Sequence, residues 1–467
     1  MSLVHLPTEF IDRMQSMLGQ EADAFLQSYK ELRTQGLRLN PLKLCAGHAH
    51  FQKLAAAFQL DPVSWCPTGF YYEETTRPGK HPWHAAGLYY IQEPSAMSAV
   101  ELLQPQPGDI VLDLAAAPGG KSTQIAGKLR GQGLLIANEI HAGRAKILAE
   151  NIERSGIANA VVLNAAPDQL SQRFPVYFDK IMFDAPCSGE GMFRKDPDAV
   201  GEWSVNHVRM CAARQLDILL EAVKLLKPGG RLTYSTCTFN EEENELTIAE
   251  LQKQLSGQFK LIAMERIWPH RHKGEGHFAA VLEKHGSEGD RERDQDMDME
   301  KNRYQTRSPA KGEKANKALS GALALFEAFR SETLAGFTLG PGEPLLFGDQ
   351  LYWLPHAEGC SFGSVILHGL RSPRPGLHLG ELKKKRFEPA HALALALPNV
   401  EKYASLFYEL TADSPQAYAY LRGEALTTDR SVNGWTVVSV DGFPLGWGKE
   451  SSGQLKNHYP KGLRQPH

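Results

Sequence analysis

Residues 109–122 read DIVLDLAAAPGGKS, and this stretch decides the fold. Asp109 to Leu114 is a short run rich in β-branched residues and leucine, and it follows Pro107-Gly108. It predicts a strand. The chain then enters a loop of small residues, Ala115, Ala116, Ala117, Pro118, Gly119 and Gly120, and a helical pattern runs from Lys121 to about Arg130. Strand, small-residue loop and helix N-terminus together let a ligand approach backbone amides. Two nucleotide-binding readings fail here. A P-loop requires GxxxxGK[ST]; Gly120-Lys121-Ser122 supplies its end, but position 115 is Ala where the first glycine belongs. The dinucleotide fingerprint GxGxxG is absent as well.

Outward from this stretch, strands and helices alternate from about Pro94 to Leu282, which predicts a parallel α/β sheet. A second strand, Leu134 to Asn138, ends in Glu139, and a helix over 141–155 leads to a third strand, Ala160 to Leu163. A fourth, Phe178 to Phe183, runs into Asp184-Ala185-Pro186-Cys187-Ser188-Gly189. An amphipathic helix over 205–226 and the turn Lys227-Pro228-Gly229-Gly230 precede a fifth strand, Arg231 to Ser235, which ends at Thr236-Cys237-Thr238. Sites in doubly wound sheets lie at the carboxyl ends of strands, where Asp113, Glu139, Asp184 and Cys237 all fall. An acid at the tip of the second strand suits a ribose diol, since a carboxylate accepts from both hydroxyls; a helix-capping role is the alternative for Glu139.

The chain has 467 residues, 42% of them apolar, enough for about three folded domains. The longest apolar run, Ala392 to Leu397, is far short of the ~18 residues that span a bilayer. No basic segment followed by an apolar one opens the chain, and its six cysteines contain no CxxC, so a cytoplasmic protein is expected, with a monomer as the default state. From Lys284 to Lys317, 17 of 34 residues are charged and Val, Ile, Leu, Phe and Trp are missing. That composition predicts a flexible tether, with a solvated, ion-paired helix as the alternative. Before the α/β region, helical patterns cover 8–18 and 20–35. After the tether come a helix over 319–335, short strands over 337–380, and a final region with the strand-like TVVSV at 436–440.

A lone cysteine is usually a small buried hydrophobe, the reading taken for Cys45, Cys66, Cys211 and Cys360. Cys187 and Cys237 instead follow strands, in loops. Thiols there, beside a nucleoside-type cofactor, suit methylation of an unreactive ring carbon. A thiolate adding to carbon 6 of a pyrimidine makes carbon 5 nucleophilic toward a sulfonium methyl. An acid near ring nitrogen 3 quenches the charge that develops, and Asp184 is the candidate. Spacing alone leaves open which cysteine attacks.

Residues 94–282 resemble the catalytic domain of the Sun/Nop family of RNA cytosine-5 methyltransferases. The motifs are Asp113 to Lys121, Asp184 to Gly189 and Tyr234-Ser235-Thr236-Cys237-Thr238. The extension Glu190 to Pro197 resembles the RsmF branch, which modifies small-subunit (16S) ribosomal RNA, as do Leu37 to Lys43, Gln92 to Ser95, Leu379 to Leu397, Leu445 to Lys449 and Leu455 to Asn457. The resemblance implies a Rossmann-like class I methyltransferase domain over 94–284. It also implies an α+β N-terminal domain over 1–93 and, beyond the linker that composition places at 285–318, a first C-terminal domain over 319–389 and a PUA-like domain over 390–467. It makes Cys237 the nucleophile and Cys187 the release base. It lines the S-adenosylmethionine site with Ala115, Ala116, Ala117, Pro118, Gly119, Gly120, Lys121, Glu139 and Asp184. Lys121 is also placed toward the target base or its phosphate, against the alternative of a solvated helix-start residue. One departure stands out. The family's Asp after the third strand falls near Ala166, so either backbone groups take over its contact or Asp168 shifts in.

A net charge of −3 means that RNA must meet local patches. Lys383, Lys384, Lys385 and Arg386 are four adjacent cations, and the tail from Gly446 to Arg464 interleaves four basic residues with Trp447 and Tyr459. Cations beside aromatics suit phosphate contact and base stacking. Arg38, Lys43, Arg194 and Lys195 are further candidates. Cys45, His48, His50 and Cys66 match no zinc spacing, so no metal is expected. Three competing readings remain. Exocyclic amino methylation would require an [Asp/Asn]-Pro-Pro-aromatic loop where Asp184-Ala185-Pro186-Cys187 stands. The target could be transfer or large-subunit RNA. The protein could be a ribosome-assembly factor whose catalysis is dispensable.

Overall fold

The computed structural model describes residues 5–286, 313–358, 362–384 and 386–465. Its centre is an eight-stranded sheet built from β1 (Ile110–Asp113), β2 (Leu134–Asn138), β3 (Ala160–Asn164), β4 (Phe178–Asp184), β5 (Leu226–Thr236), β6 (Phe259–Ile267), β7 (His277–Lys284) and β8 (Arg371–Arg374). Their order is β6-β7-β5-β4-β1-β2-β3-β8. β1 to β5 pair in parallel, while β7 runs antiparallel between β5 and β6. This is the Rossmann-like arrangement expected of a class I methyltransferase domain.

Both faces of the sheet are covered, which is why its strands are nearly all apolar. On one face Val111, Leu135, Val162 and Met182 pack against Ile125 of α1 (Gly120–Leu129) and Leu148 and Ile152 of α2 (Ala142–Arg154). On the other, Leu112, Ile136, Val161 and Ile181 meet Leu219 and Val223 of α3 (Val205–Leu225). The strand order reverses beside β1, and this opens the crevice between the β1 and β4 loops.

The flanking modules are fastened to this centre by buried polar clamps. Arg38, on the N-terminal strand Gly36–Leu39, donates to Gln92 Oε1 at 2.9 Å, Thr123 Oγ1 at 2.7 Å and the Gly120 carbonyl at 3.0 Å. Within the N-terminal domain, Lys43 donates to the Ala86 carbonyl at 2.6 Å, and burial, then Arg154, pushes its ammonium down to about 7. Arg38 and Lys43 are therefore structural groups, contrary to their expected share in RNA contact. The C-terminal five-stranded sheet packs back onto the N-terminal domain, with Leu37, Phe58 and Trp83 meeting Tyr420 and Val438. Trp83 Nε1 donates to Asp441 Oδ2 at 2.7 Å across that seam.

Several local expectations shift. Helix over 20–35 shortens to a 3-10 turn, Gly19–Glu21, and a helix, Ala22–Ser28, because the chain must turn out to pair the strand at Gly36. The helix expected over 319–335 spans Glu313–Thr333 and so begins inside the stretch read as linker. The rest of that linker, residues 287–312, lies outside the described residues. Among the described residues no helix is long and apolar enough to cross a membrane.

The strand β8 falls within the short strands expected over 337–380, but its place is in the central sheet. It comes from beyond the linker and pairs antiparallel with β3, Arg374 opposite Val162, covering an edge that would otherwise present unpaired backbone groups. The buried Arg374 guanidinium donates to the Ala160 carbonyl at 2.8 Å and the Ile157 carbonyl at 2.6 Å. Replacing Arg374 by Ala removes two charge-assisted bonds and should cost about 2–4 kcal/mol of stability. Urea unfolding of Arg374→Ala checks this; an unchanged midpoint would mean β8 is held by its backbone alone.

Candidate active site

The parallel pairing of β4 with β5 sets Asp184 opposite Ser235. The two strands therefore release their loops side by side, and Cys187 Sγ comes within 3.4 Å of Cys237 Sγ although 50 residues separate them. The Cys237 contact, then burial, pushes the Cys187 thiol well above its ordinary value.

Asp184 accepts from Ser235 Oγ at 2.7 Å through Oδ1, and its Oδ2 is 2.7 Å from Lys121 Nζ. Lys121 is buried, so it is no solvated helix-start residue. Burial alone would raise Asp184, but Lys121 and His277 outweigh it and hold the carboxyl below its usual range. Asp184 is therefore ionised in this arrangement. His277, unmarked in the sequence, enters because β7 begins beside the end of β5. Its Nε2 lies 3.9 Å from Asp184 Oδ1, and burial, then Lys121, pushes it down to about 4, so it is neutral at pH 7.

The small-residue loop is held from outside its crevice. Arg144 and Asn151 of α2 donate to the carbonyls of Ala117 and Pro118, each at 2.7 Å. Gly119 adopts a left-handed φ of 115°, and a Cβ there would press within 3.3 Å of Leu148. Asn138 laces the strand ends together, donating to the carbonyls of Leu114 and Ala165 at 3.1 and 3.0 Å. Glu139 is buried at the tip of β2, its Oε1 accepting from the His141 amide at 2.9 Å and its Oε2 3.6 Å from Arg144. Asp113 is buried with Ser122 Oγ on Oδ2 at 2.6 Å, while Oδ1 has no hydrogen-bond partner among the described residues. S-adenosylmethionine brings hydroxyl and ammonium donors, and these buried acceptors fit it. Asp168 lies exposed in the first turn of the helix Pro167–Arg173, and no acid occupies the end of β3.

Other candidates sort by environment. Arg194 is buried in an ion pair with Glu275, Nε to Oε2 at 2.6 Å, and donates to the Ser28 carbonyl at 2.8 Å; it ties the N-terminal helices down and leaves the RNA-binding set. Lys195 is half-buried. Lys383 pairs with Glu388 at 2.7 Å and Glu381 at 3.3 Å, whereas Lys384 and Arg386 are exposed; Lys385 lies outside the described residues. Trp447 and Tyr459 are buried, Trp447 Nε1 donating to the Ala390 carbonyl at 2.9 Å, so neither stacks on a base. Trp435 nearby is half-buried, with Lys449 Nζ 5.5 Å above its ring and the His458 ring 4.6 Å away. Cys66 and Cys211 are buried, but Cys45 is exposed; Cys360 lies outside the described residues. Among the described residues no three His, Cys, Asp or Glu groups are placed to hold a metal.

Four families match the chain: "16S rRNA methyltransferase RsmB/F" over residues 100–283, "N-terminal domain of 16S rRNA methyltransferase RsmF" over 6–94, "RsmF rRNA methyltransferase first C-terminal domain" over 328–397 and "Methyltransferase RsmF PUA domain" over 407–465. Ribosomal RNA small subunit methyltransferase F of Aeromonas salmonicida (strain A449) is 32% identical, over 98% of this chain and 97% of that protein. The protein of the same name from Vibrio vulnificus (strain YJ016) is 32% identical over 99% and 98%. Among solved structures, a methyltransferase homologue from Pyrococcus horikoshii is 28% identical, with a TM-score of 0.53, over 60% of this chain and 96% of that one. NSun6 from Pyrococcus horikoshii, solved with SFG, shares the fold at 22% identity and a TM-score of 0.55, over 61% of this chain and 100% of that one.

Burial pushes the Asp113 carboxyl up to about 7. An unfolded chain loses this proton near pH 4, while the folded protein keeps it to about pH 7. The group's contribution to stability therefore falls as pH rises between those values and is level above them. Asp113→Asn should abolish that decline, so the variant gains on wild type across that window. Urea unfolding at a series of pH values tests this; parallel stability curves would sink it.

Proposed function

The chain belongs to the family of ribosomal RNA small subunit methyltransferase F, and from that premise we propose that it methylates carbon 5 of cytosine in 16S ribosomal RNA through a covalent bond to Cys237. It is an S-adenosylmethionine-dependent rRNA methyltransferase. The observation that carries the covalent reading is the pair of thiols 3.4 Å apart at the ends of β4 and β5, beside the Asp184–Lys121 ion pair.

The Cys237 thiolate adds to carbon 6, and ring nitrogen 3 takes up a proton, leaving carbon 5 enamine-like. Asp184 begins ionised, so it serves as the acid by relay: Lys121 gives a proton to Asp184, and Asp184 gives it to nitrogen 3. When bound, the cofactor supplies an electrophilic sulfonium methyl. Cys187 holds its proton while Cys237 carries the charge beside it. Once Cys237 is spent in the carbon–sulfur bond, that hindrance is gone and the Cys187 proton passes to water. The Cys187 thiolate then takes the proton from carbon 5, the 5,6 double bond re-forms, Cys237 leaves as thiolate, and nitrogen 3 returns its proton to Lys121 through Asp184.

RNA is held by a C-terminal basic face. The hairpin carrying Lys383 and Glu388, at whose turn Lys384 and Arg386 stand exposed, and the strands carrying Lys449 and Lys456 both bear on His458, which burial, then Lys456, Lys449 and Lys383, push down against Glu388. These cations suit phosphates, and the target base must leave its stack to reach Cys237.

Bisulfite sequencing of small-subunit RNA from cells with and without this gene tests the substrate. Loss of one or a few 5-methylcytosines is expected, and an unchanged map would move the target to another RNA. Cys237→Ala should methylate nothing. Cys187→Ala should leave an RNA-linked band on a denaturing gel, because attack survives and release fails; no band would overturn the division of labour. Lys384→Ala with Arg386→Ala should weaken RNA binding and reduce its salt slope by about 1–2, with cofactor affinity unchanged. Equal loss of both affinities would mean that this face supports the fold instead.

A further inference from the structure

Two buried carboxylates brace the cysteine loops reciprocally. Glu190 belongs to the segment after Cys187, yet its Oε2 accepts from the segment after Cys237: Thr238 Oγ1 at 2.6 Å, the Phe239 amide at 2.6 Å and the Asn240 amide at 2.9 Å. Glu243 belongs to the segment after Cys237, yet its Oε2 accepts from the Ser188 amide at 2.9 Å and from Gln215 Nε2 at 2.8 Å, and its Oε1 accepts from Ser188 Oγ. Asn240 Nδ2 joins the two, reaching Glu190 Oε1 at 3.1 Å and Glu243 Oε1 at 2.8 Å. Both carboxylates are fully buried, and among the described residues neither has a cation within ion-pair distance.

Burying a charge without a counter-ion is costly unless hydrogen bonds satisfy it. Here two such groups stand between the loops of the two thiols. An amide could not replace either one, because an NH2 in place of an oxygen would face donors. The loops also touch directly: the Gly191 amide donates to the Cys237 carbonyl at 2.8 Å, where a Cβ on residue 191 would come within 2.9 Å of that oxygen.

We propose that Glu190 and Glu243 are positioning residues that set the separation of the two thiols, and so govern release of the methylated base rather than attack on it. This rests on the covalent reading above. Attack needs Cys237 alone; removal of the carbon 5 proton needs Cys187 at a fixed distance from the same ring. Loosening the brace therefore slows the second step and spares the first.

Glu243→Gln and the milder Ser188→Ala, made in the full chain, test this on small subunits from cells lacking the gene. The RNA-linked fraction should rise and kcat should fall about tenfold to a hundredfold, with KM and cofactor affinity near wild type. Diamide should also form the Cys187–Cys237 disulfide at least about tenfold more slowly in the free proteins, a readout that needs no RNA. Activity lost in step with cofactor affinity, without an RNA-linked band and with wild-type disulfide formation, would overturn the proposal. If Cys187→Ala gives no RNA-linked band on the same subunits, the covalent reading has failed instead, and the disulfide rate still decides whether the carboxylates set the thiol spacing.

Discussion

Asp184 opposite Ser235 in the parallel pairing of β4 and β5 is the contact on which the site depends. A slip of one residue would turn every side chain on β4 to the other face. The slip is prevented because Ile181 and Phe183 pack into one core while Met182 packs into the other. The apolar alternation that fixes the register thus also fixes the distance between two thiols. Once it is set, Asp184 takes Ser235 on one oxygen and Lys121 on the other. Lys121 arrives there because the β1 loop ends at the first turn of α1, across the crevice where the strand order reverses.

The remaining modules hold this arrangement through interfaces that are partly aromatic and partly polar. Phe10, Phe25 and Tyr29 of the N-terminal helices pack against Phe193, Trp203, Phe239 and Trp268, all of which follow the two cysteine motifs. Tyr29 also donates from its hydroxyl to the Glu190 carbonyl at 3.0 Å. The N-terminal domain is therefore part of the wall behind the active site. On the opposite edge, His391 Nδ1 lies 2.9 Å from Glu153 of α2, and β8 extends the catalytic sheet itself. Division into modules along the chain does not correspond to division in space.

Charge is managed by pairing where chemistry demands it and by hydrogen bonding where rigidity does. Asp184 and Lys121 are close enough to exchange a proton, while His277 stays neutral beside them. Among the described residues Glu190 and Glu243 meet hydrogen-bond donors and no cation. A carboxylate that gathers several donors cannot move without stranding them, which suits a brace.

The first five strands of the central sheet were legible because fully buried parallel strands must be apolar, short and bounded by turn residues. Their carboxyl ends followed, and with them Asp113, Glu139, Asp184, Cys187 and Cys237, since the site of a doubly wound sheet lies there. The sequence by itself thus determined the class of fold and the residue types at its crevice. The rest depended on partners far along the chain. Arg194 and Lys384 look alike as cations in a sequence, yet Glu275, 81 residues on, buries one of them while the other stands exposed. Trp447 reads as a stacking ring beside a lysine, but it is buried and the Ala390 carbonyl claims it. His277 and Glu243 carry no motif of their own and matter only because β7 and the loop after β5 return to the cysteines. Periodicity and composition record what a segment can bury, so they reveal strands and helices. Which charge is paired, which ring is covered and which carboxylate braces a loop is decided by contacts between distant segments, and only the tertiary structure sets those.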